Sequence, residues 1–263
     1  MSCLKSLGLP PMIFLLNHPL VFFLITLALL WIVSQIGAYF RKQNLDEGMD
    51  EEHFSLILGA TLTLLGLMIG FTFAMAVSRY DQRKDYEEQE SNAIGTEYVR
   101  FDALSATNDA KLRALLRDYL DQRILYYTSR DSEQLRQARA KSSQLQLELW
   151  SEVTASVTAQ PNPVSALVFS GMNDVLNSEG YTEAAWRNRV PLAAWILLIS
   201  IAAFCNFLLG YRAHGKTSML LLVLPIALAI AFFLIADIDS PRSGVIRVYP
   251  QNLESLADSL RPH

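Results

Sequence analysis

The sequence predicts an all-α integral membrane protein with four transmembrane helices and a helical cytoplasmic domain between the second and the third. Hydrophobic residues make up 51% of the 263 positions, and none of the 22 basic and 26 acidic residues falls in any of four long windows. A helix needs about 20 apolar residues to cross a hydrocarbon core of about 30 Å, because its backbone polar groups must be satisfied without water. The windows have this length and cover residues 18–40, 54–78, 191–211 and 217–236.

The composition excludes several other classes of protein. Cys3 and Cys205 are the only cysteines, so a secreted disulfide scaffold is excluded. The apolar content is too high for a disordered chain, and the net charge of −4 disfavours nucleic acid as a partner. The lipid bilayer is therefore the expected surrounding of the four windows.

Residues 1–17 are interpreted as a short N-terminal segment at the membrane interface, because prolines in this stretch make it a poor membrane helix. A cleaved signal peptide is the less favoured alternative, since the apolar run is too long and no small-residue cleavage site precedes Arg41. The first transmembrane pair is then expected over residues 18–78.

Four spans place the N-terminus, residues 79–190 and a tail over residues 239–263 on one side of the membrane, and the second transmembrane pair covers residues 191–238. Near the ends of the spans, this side carries eight basic residues and the opposite side carries four. Because cytoplasmic loops carry the excess of Lys and Arg, we expect both termini and the segment 79–190 in the cytoplasm.

The cytoplasmic segment has the composition of a helical domain, with prolines only at Pro161 and Pro163. Asn108 and Asp131 are expected to be helix N-caps. The two prolines break the helical pattern, and the short helix after them is expected to end at Gly180. We expect the helices to bury one face each in a bundle. The apolar residues that recur at helical spacing are Leu112, Leu115, Leu116, Tyr119, Leu120, Ile124, Tyr127, Leu135, Leu145, Leu149, Trp150 and Val153.

The sequence contains no motif for catalysis or metal binding in a suitable structural context. The segment Gly210–Thr217 matches the phosphate-loop pattern, but it lies between two spans rather than between a strand and a soluble helix. The histidines and cysteines lack zinc spacing, and there is no nucleophile elbow. Asp237 and Asp239 are too few ligands for a metal site, and we interpret them as charges that mark the end of a span. No catalytic residue, metal or cofactor is expected, and a membrane enzyme is the least favoured class.

The second span carries two adjacent stripes of residues at a spacing of four. Small side chains that allow close approach of another helix are Gly66, Gly70, Ala74 and Ser78. Larger side chains at successive depths are Thr63, Leu67 and Phe71. Two alternatives stay open at this point, because a helix of this kind packs either within its own subunit or against another copy.

Three segments carry a resemblance to a known family. These segments are residues 70–81, which begin Gly-Phe-Thr-Phe and include Arg79-Tyr80-Asp81, residues 90–96, and residues 237–244. They resemble the bestrophin-like domain family of bacterial membrane proteins, over about residues 20 to 250. The family takes its name from a more distant similarity to bestrophins, which are pentameric ion channels. The resemblance implies a homo-oligomer in the bacterial inner (plasma) membrane.

The resemblance also implies a pore along the second span. In bestrophins this helix lines the pore, and three bulky apolar residues spaced by four form a neck, the last in a Gly-Phe pair upstream of an Arg followed by an aromatic residue. This pattern places the neck at Thr63, Leu67 and Phe71, although the family pattern is apolar at the first position. The resemblance does not extend to a calcium site. The residues expected at the cytoplasmic border of the membrane are Arg79, Tyr80, Asp237, Asp239 and Arg242.

The leading hypothesis is a homo-oligomeric channel subunit, a pentamer by resemblance, that passes small inorganic ions through a pore lined by the second transmembrane helix. The two outer loops carry net charges of about −3 and +2 per subunit, which does not decide between cations and anions. The alternative hypothesis is a non-conducting membrane scaffold or sensor whose cytoplasmic helices bind partner proteins.

Overall fold

Helices form all the regular structure in the described part of the chain. The computed structural model describes residues 15–43, 51–104, 106–159, 161–213 and 220–261. The α-helices are α1 (Pro19–Gln43), α2 (Glu51–Arg100), α3 (Ala106–Thr128), α4 (Ser132–Ala159), α5 (Pro163–Arg187), α6 (Leu192–Arg212), α7 (Val223–Asp239) and α8 (Gln251–Leu260). Short 3₁₀ turns cover Phe101–Ala103 and Leu220–Leu222. Residues 1–14, residues 44–50 of the first outer loop and residues 214–219, which include the last four residues of the phosphate-loop match, lie outside the described residues.

Three helical segments are long and apolar enough to cross a membrane. They are Pro19–Arg41, Glu52–Ala103 and Pro163–Arg212, the last of which contains α5 and α6. The fourth expected window corresponds to α7, a helix of 17 residues that is preceded by the 3₁₀ turn. By length and composition, the described part of the chain thus contains three helical segments with a window apolar enough to cross a membrane, and α7 as a shorter apolar helix.

The chain divides into two compact units. The apolar unit consists of the residues up to Arg79 together with Arg189–Arg247, and it contains α1, α6, α7 and the first part of α2. The polar unit consists of Tyr80–Asn188 and the residues from Val248, and it contains the remainder of α2 together with α3, α4, α5 and α8. Helix α2 contributes to both units as one uninterrupted element of 50 residues.

Helices α1 and α6 of the apolar unit run side by side in the same direction. Near their N-termini the rings of Phe22 and Trp195 meet edge to face, with centroids 5.2 Å apart. Near their C-termini the Arg41 guanidinium donates to the carbonyl oxygen of Arg212 at 2.9 Å. Between these contacts, a Cβ added to Gly37 would overlap the backbone of α6, and one added to Gly210 would overlap the backbone of α1. The two glycines therefore allow the two backbones to touch.

The core of the polar unit confirms the helical spacing of the sequence. Most of the apolar residues expected on the buried faces of α3 and α4 are buried in one cluster, and the others are partly buried against it. The fully buried members are Leu112, Leu116, Tyr119, Leu120, Tyr127, Leu145, Leu149 and Val153. Leu115, Ile124, Leu135 and Trp150 pack around them.

Helix ends in the polar unit follow the sequence signals only in part. Asp131 caps α4, since its carboxylate accepts the Glu133 N–H at 3.1 Å. Asn108 is not an N-cap, because α3 begins two residues earlier. Gly180 does not end a helix, because α5 continues for seven more residues, held on both sides by the buried residues Glu179 and Thr182.

The C-terminal segment contains a helix that the sequence analysis treats only as a tail. Helix α8 buries Leu253 and Ala257 and packs against α3, and its Leu256 and Leu260 are partly buried against the same core. The Glu87 carboxylate on α2 accepts the N–H groups of Asn252 and Leu253, both at 3.0 Å. A carboxylate in this position satisfies backbone donors at the helix N-terminus, so the start of α8 is fixed to α2.

Candidate functional site

Helix α2 presents one buried and one exposed face along its apolar part. The buried residues in this part are spaced by four and seven, which places them on one side of the helix. They are Phe54, Leu58, Leu65, Thr72 and Ala76. Both stripes found in the sequence lie on the other side and are exposed.

The stripe of larger residues projects away from the chain. Leu67 is 52% exposed and Phe71 is 59% exposed, whereas Leu65 on the buried face is 1% exposed. Thr63 is also exposed, and its hydroxyl donates to the carbonyl oxygen of Gly59 at 2.9 Å. Because the only hydroxyl hydrogen of Thr63 is used inside the helix, its methyl group is left as the apolar part of this stripe.

The stripe of small residues is not covered within the chain. A Cβ added to Gly66 or to Gly70 would meet no atom within 4 Å. Ala74 and Ser78, which continue the stripe, are exposed as well. Packing within the subunit, the alternative left open by the sequence, is therefore not observed at these two glycines. The close helix contact of the apolar unit occurs instead through Gly37 of α1 and Gly210 of α6, which sequence reasoning did not identify.

Two of the expected border residues meet at the end of the apolar unit. Arg79 Nη1 of α2 lies 3.7 Å from Asp239 Oδ1 at the end of α7. The same carboxylate accepts the Val190 N–H at 3.0 Å, just before α6 begins. Asp239 therefore joins three segments of the chain by one ion pair and one backbone hydrogen bond.

The other expected border residues have separate surroundings. Asp237 accepts the N–H groups of Val245 and Ile246, both at 2.8 Å, and so folds the chain back after α7. A Cβ added to Gly244 would overlap the Asp237 carbonyl, so this turn requires a glycine for steric reasons. Tyr80 packs against the core of the polar unit, and Arg242 is partly buried in the apolar unit.

Asp237 and Asp239 serve the fold through these hydrogen bonds. In the described ranges, no group of three or more His, Cys, Asp or Glu side chains is placed to hold a metal ion. Asp239 is the last residue of α7, and Asp237 lies two residues before it.

A buried ionic network in the polar unit was missed by sequence reasoning. The Arg123 guanidinium of α3 pairs with Glu90 of α2 through its Nε and with Glu179 of α5 through Nη1, the latter at 3.0 Å. Arg123 and Glu90 are 0% exposed. Burial raises the pKa of Glu179, and the charge of Arg123 opposes this rise. The network ties three helices together through buried charges.

Hydroxyl groups complete this network. The hydroxyls of Tyr127 and Thr182 donate to Glu90 Oε2 at 3.1 and 3.0 Å, and the hydroxyl of Tyr119 donates to Glu179 Oε2 at 3.2 Å. Its sequence signal is the position of Arg123, three residues after Leu120 and four before Tyr127, on the apolar face of α3. A charge on such a face is typical of a buried pair.

The uncovered face of α2 and the all-helical fold together indicate the class of protein. The chain is an all-helical membrane protein in which one long helix keeps a face of bulky apolar and small residues that no other part of the described chain covers. The sequence matches the bestrophin-like domain over residues 20–253, and the chain belongs to this family. The resemblance noted in the sequence is thereby confirmed.

Solved structures show the same fold. A crystal structure of a point variant of a bacterial bestrophin homologue from Klebsiella pneumoniae is 17% identical, with a TM-score of 0.65 over 90% of this chain and 96% of that chain. A second variant of that homologue is 15% identical, with a TM-score of 0.67 over 90% and 97% of the two chains. A structure of the homologue phased with zinc is 17% identical, with a TM-score of 0.65 over 90% and 95%. No curated protein sequence matches the chain.

Proposed function

We propose that the protein is the subunit of a homo-oligomeric ion channel whose pore is lined by helix α2. Membership of the bestrophin-like family supports the channel class, since bestrophins are ion channels. Thr63, Leu67 and Phe71 form the constriction, and Gly66, Gly70, Ala74 and Ser78 contact the same helix of the next subunit. The pentameric state comes from the family resemblance. The permeating species are small inorganic ions.

One observation carries this proposal. Leu67 and Phe71 are more than half exposed, and Gly66 and Gly70 beside them are uncovered, although the opposite face of the same helix is buried. Exposure of bulky side chains to lipid alone does not require a smooth glycine stripe beside them. A neighbouring copy on the glycines and a pore on the bulky residues account for both stripes together.

The chemistry of the constriction follows from its side chains. Rings of apolar residues in a narrow pore gate by dewetting, because water and ions leave such a passage when it narrows. Thr63 fits the first ring because its hydroxyl donates to the carbonyl oxygen of Gly59, so that its methyl group is the part available to line the pore. We therefore assign Thr63 to the constriction in spite of its polar side chain.

The proposed topology has four spans, with α7 as the fourth, in a bacterial inner membrane. Helix α7 and the 3₁₀ turn before it, Leu220–Asp239, comprise 20 residues, which suffice to cross a bilayer. The excess of basic residues near Arg79 and Arg242 favours a cytoplasmic location for the polar unit and both termini. The polar unit would then form the cytoplasmic vestibule of the channel.

Planar-bilayer recording of the purified protein, after native mass spectrometry of its oligomeric state, tests the proposal. We expect ion currents, and we expect Phe71→Ala to raise the current or weaken gating because a smaller side chain widens this apolar ring. Phe73→Ala is the matched control, since Phe73 is 41% exposed but lies about 200° around the helix from Phe71. Reversal potentials in asymmetric NaCl then determine whether cations or anions pass.

The outcomes separate the two hypotheses. Silent bilayers with a verified oligomer contradict the channel. A monomer or dimer favours the membrane scaffold or sensor, because a central pore lined by one helix per subunit needs several copies. Equal effects of Phe71→Ala and Phe73→Ala remove Phe71 from the constriction.

A further inference from the structure

Glu97 is a buried carboxyl group in the polar unit that takes no part in the Arg123 network. It lies on the last turns of α2 and is 0% exposed. Neither of its carboxyl oxygens has a hydrogen-bond partner among the described residues. It is packed against α5 at Gly171, where an added Cβ would overlap both the Glu97 carboxyl and the Arg100 guanidinium.

Two charged groups face Glu97. Arg100, on the same helix, has its Nη1 atom 3.8 Å from Glu97 Oε2, which is beyond hydrogen-bond distance. Asp174, on α5, faces it with a charge of the same sign. No other charged side chain in the described parts of the chain interacts with it.

The geometry points to Glu97 as a proton-binding site of the polar unit, where the carboxyl is neutral while it is packed on Gly171 and pairs with Arg100 once it loses the proton. This proposal does not depend on ion conduction. An ionised carboxylate without hydrogen bonds is expensive to bury, whereas a neutral carboxylic acid is much less so. When Glu97 and Arg100 approach each other, two side chains that pack on Gly171 of α5 move. Binding or loss of the proton therefore changes the contact between α2 and α5.

The titration of Glu97 agrees with this geometry. Burial raises the pKa of Glu97 to about 8, against the lowering effect of Arg100 and together with the raising effect of Asp174. The folded state therefore binds the proton more tightly than the unfolded state. The stability that this proton contributes is complete below about pH 4.5, and it is lost as the pH rises toward about 8.

Infrared difference spectroscopy and thermal unfolding of the purified full-length protein between pH 5 and 9 test the proposal. We expect a protonated carboxyl band at pH 7 that disappears with a midpoint near pH 8 and that is absent from Glu97→Gln. The unfolding midpoint of the wild type should fall across this range relative to that of Glu97→Gln. Glu88→Gln, which changes an exposed glutamate on the same helix, should behave like the wild type.

Two further variants keep the test decisive if Glu97→Gln does not fold. Arg100→Gln should move the midpoint of the band to higher pH, and Asp174→Asn should move it to lower pH, because the two residues oppose and favour proton binding respectively. A wild-type protein without a protonated carboxyl band at pH 7 overturns the proposal. A band that neither neighbouring substitution moves overturns it as well.

Discussion

Replacement of Arg123 by methionine removes the only cation of the buried network and keeps a side chain of similar length. Two carboxylates, Glu90 and Glu179, then lose their ion-pair partner while they stay buried. The removal of one partner from a buried ion pair costs about 3–5 kcal/mol. We expect a loss in this range, because the hydroxyls of Tyr127 and Thr182 still donate to Glu90.

The assay is denaturant unfolding of the purified protein followed by circular dichroism. Arg136→Met is the matched control, because Arg136 is exposed and its pair with Glu133 on the same helix is worth about 0.5 kcal/mol or less. The double variant Arg123→Met with Glu90→Gln should recover part of the lost stability, since one of the two unpaired charges is then gone. The loss in Arg123→Met should also be larger at pH 8 than at pH 5, because burial raises the pKa of Glu179 and the charge of Arg123 no longer opposes this rise.

The reasoning is refuted if Arg123→Met lies within about 1 kcal/mol of the wild type, since a buried charge partner cannot be lost at so small a cost. It is also refuted if the double variant is no more stable than the single one. Either result would mean that the carboxylates reach water or find other partners in the folded protein.

Two further predictions concern helix contacts. Gly210→Ala should lower the free energy of unfolding by about 1–3 kcal/mol, because the new methyl group overlaps the Ser34 backbone, and thermal unfolding measures this loss. Gly59→Ala should show no such loss, since a Cβ there meets no atom within 4 Å, and equal losses in both variants would contradict the close contact of α1 and α6. Glu87→Ala should speed hydrogen exchange in α8, which loses the carboxylate that accepts its first N–H groups. Glu254→Ala serves as the exposed control, and unchanged exchange in Glu87→Ala would show that α8 is held by its apolar face alone.

The apolar helices and the amphipathic core were predictable because both depend on patterns within one segment. The spacing of Thr63, Leu67 and Phe71 is a property of a single helix, so this stripe was predictable without tertiary information, whereas its exposure was not. The burial of Leu112, Leu116 and Leu120 follows from the same periodicity in α3. The class of fold can therefore be predicted largely from patterns within single segments of the sequence.

The unpredicted features depend on pairs of residues that are distant in sequence. Gly37 and Gly210 are single glycines in separate helices, and only their meeting in space makes them a packing site. A charge such as Arg123 is normally solvated, and its burial depends on carboxylates more than 30 residues away. Gly180 is a good helix terminator in isolation, but the tertiary contacts of its neighbours outweigh its low helix propensity.

The continuity of α2 also restricts how its length can vary. Within the apolar unit its buried positions keep one phase from Phe54 through Leu65 to Ala76, and the whole helix is about 75 Å long at 1.5 Å per residue. One residue inserted among these positions would rotate the buried positions after it by about 100°, whereas seven inserted residues return them to within about 20° of the original direction. Relatives of this chain should therefore lengthen or shorten this part of α2 by about seven residues at a time, because only such changes keep its buried residues on one side of the helix.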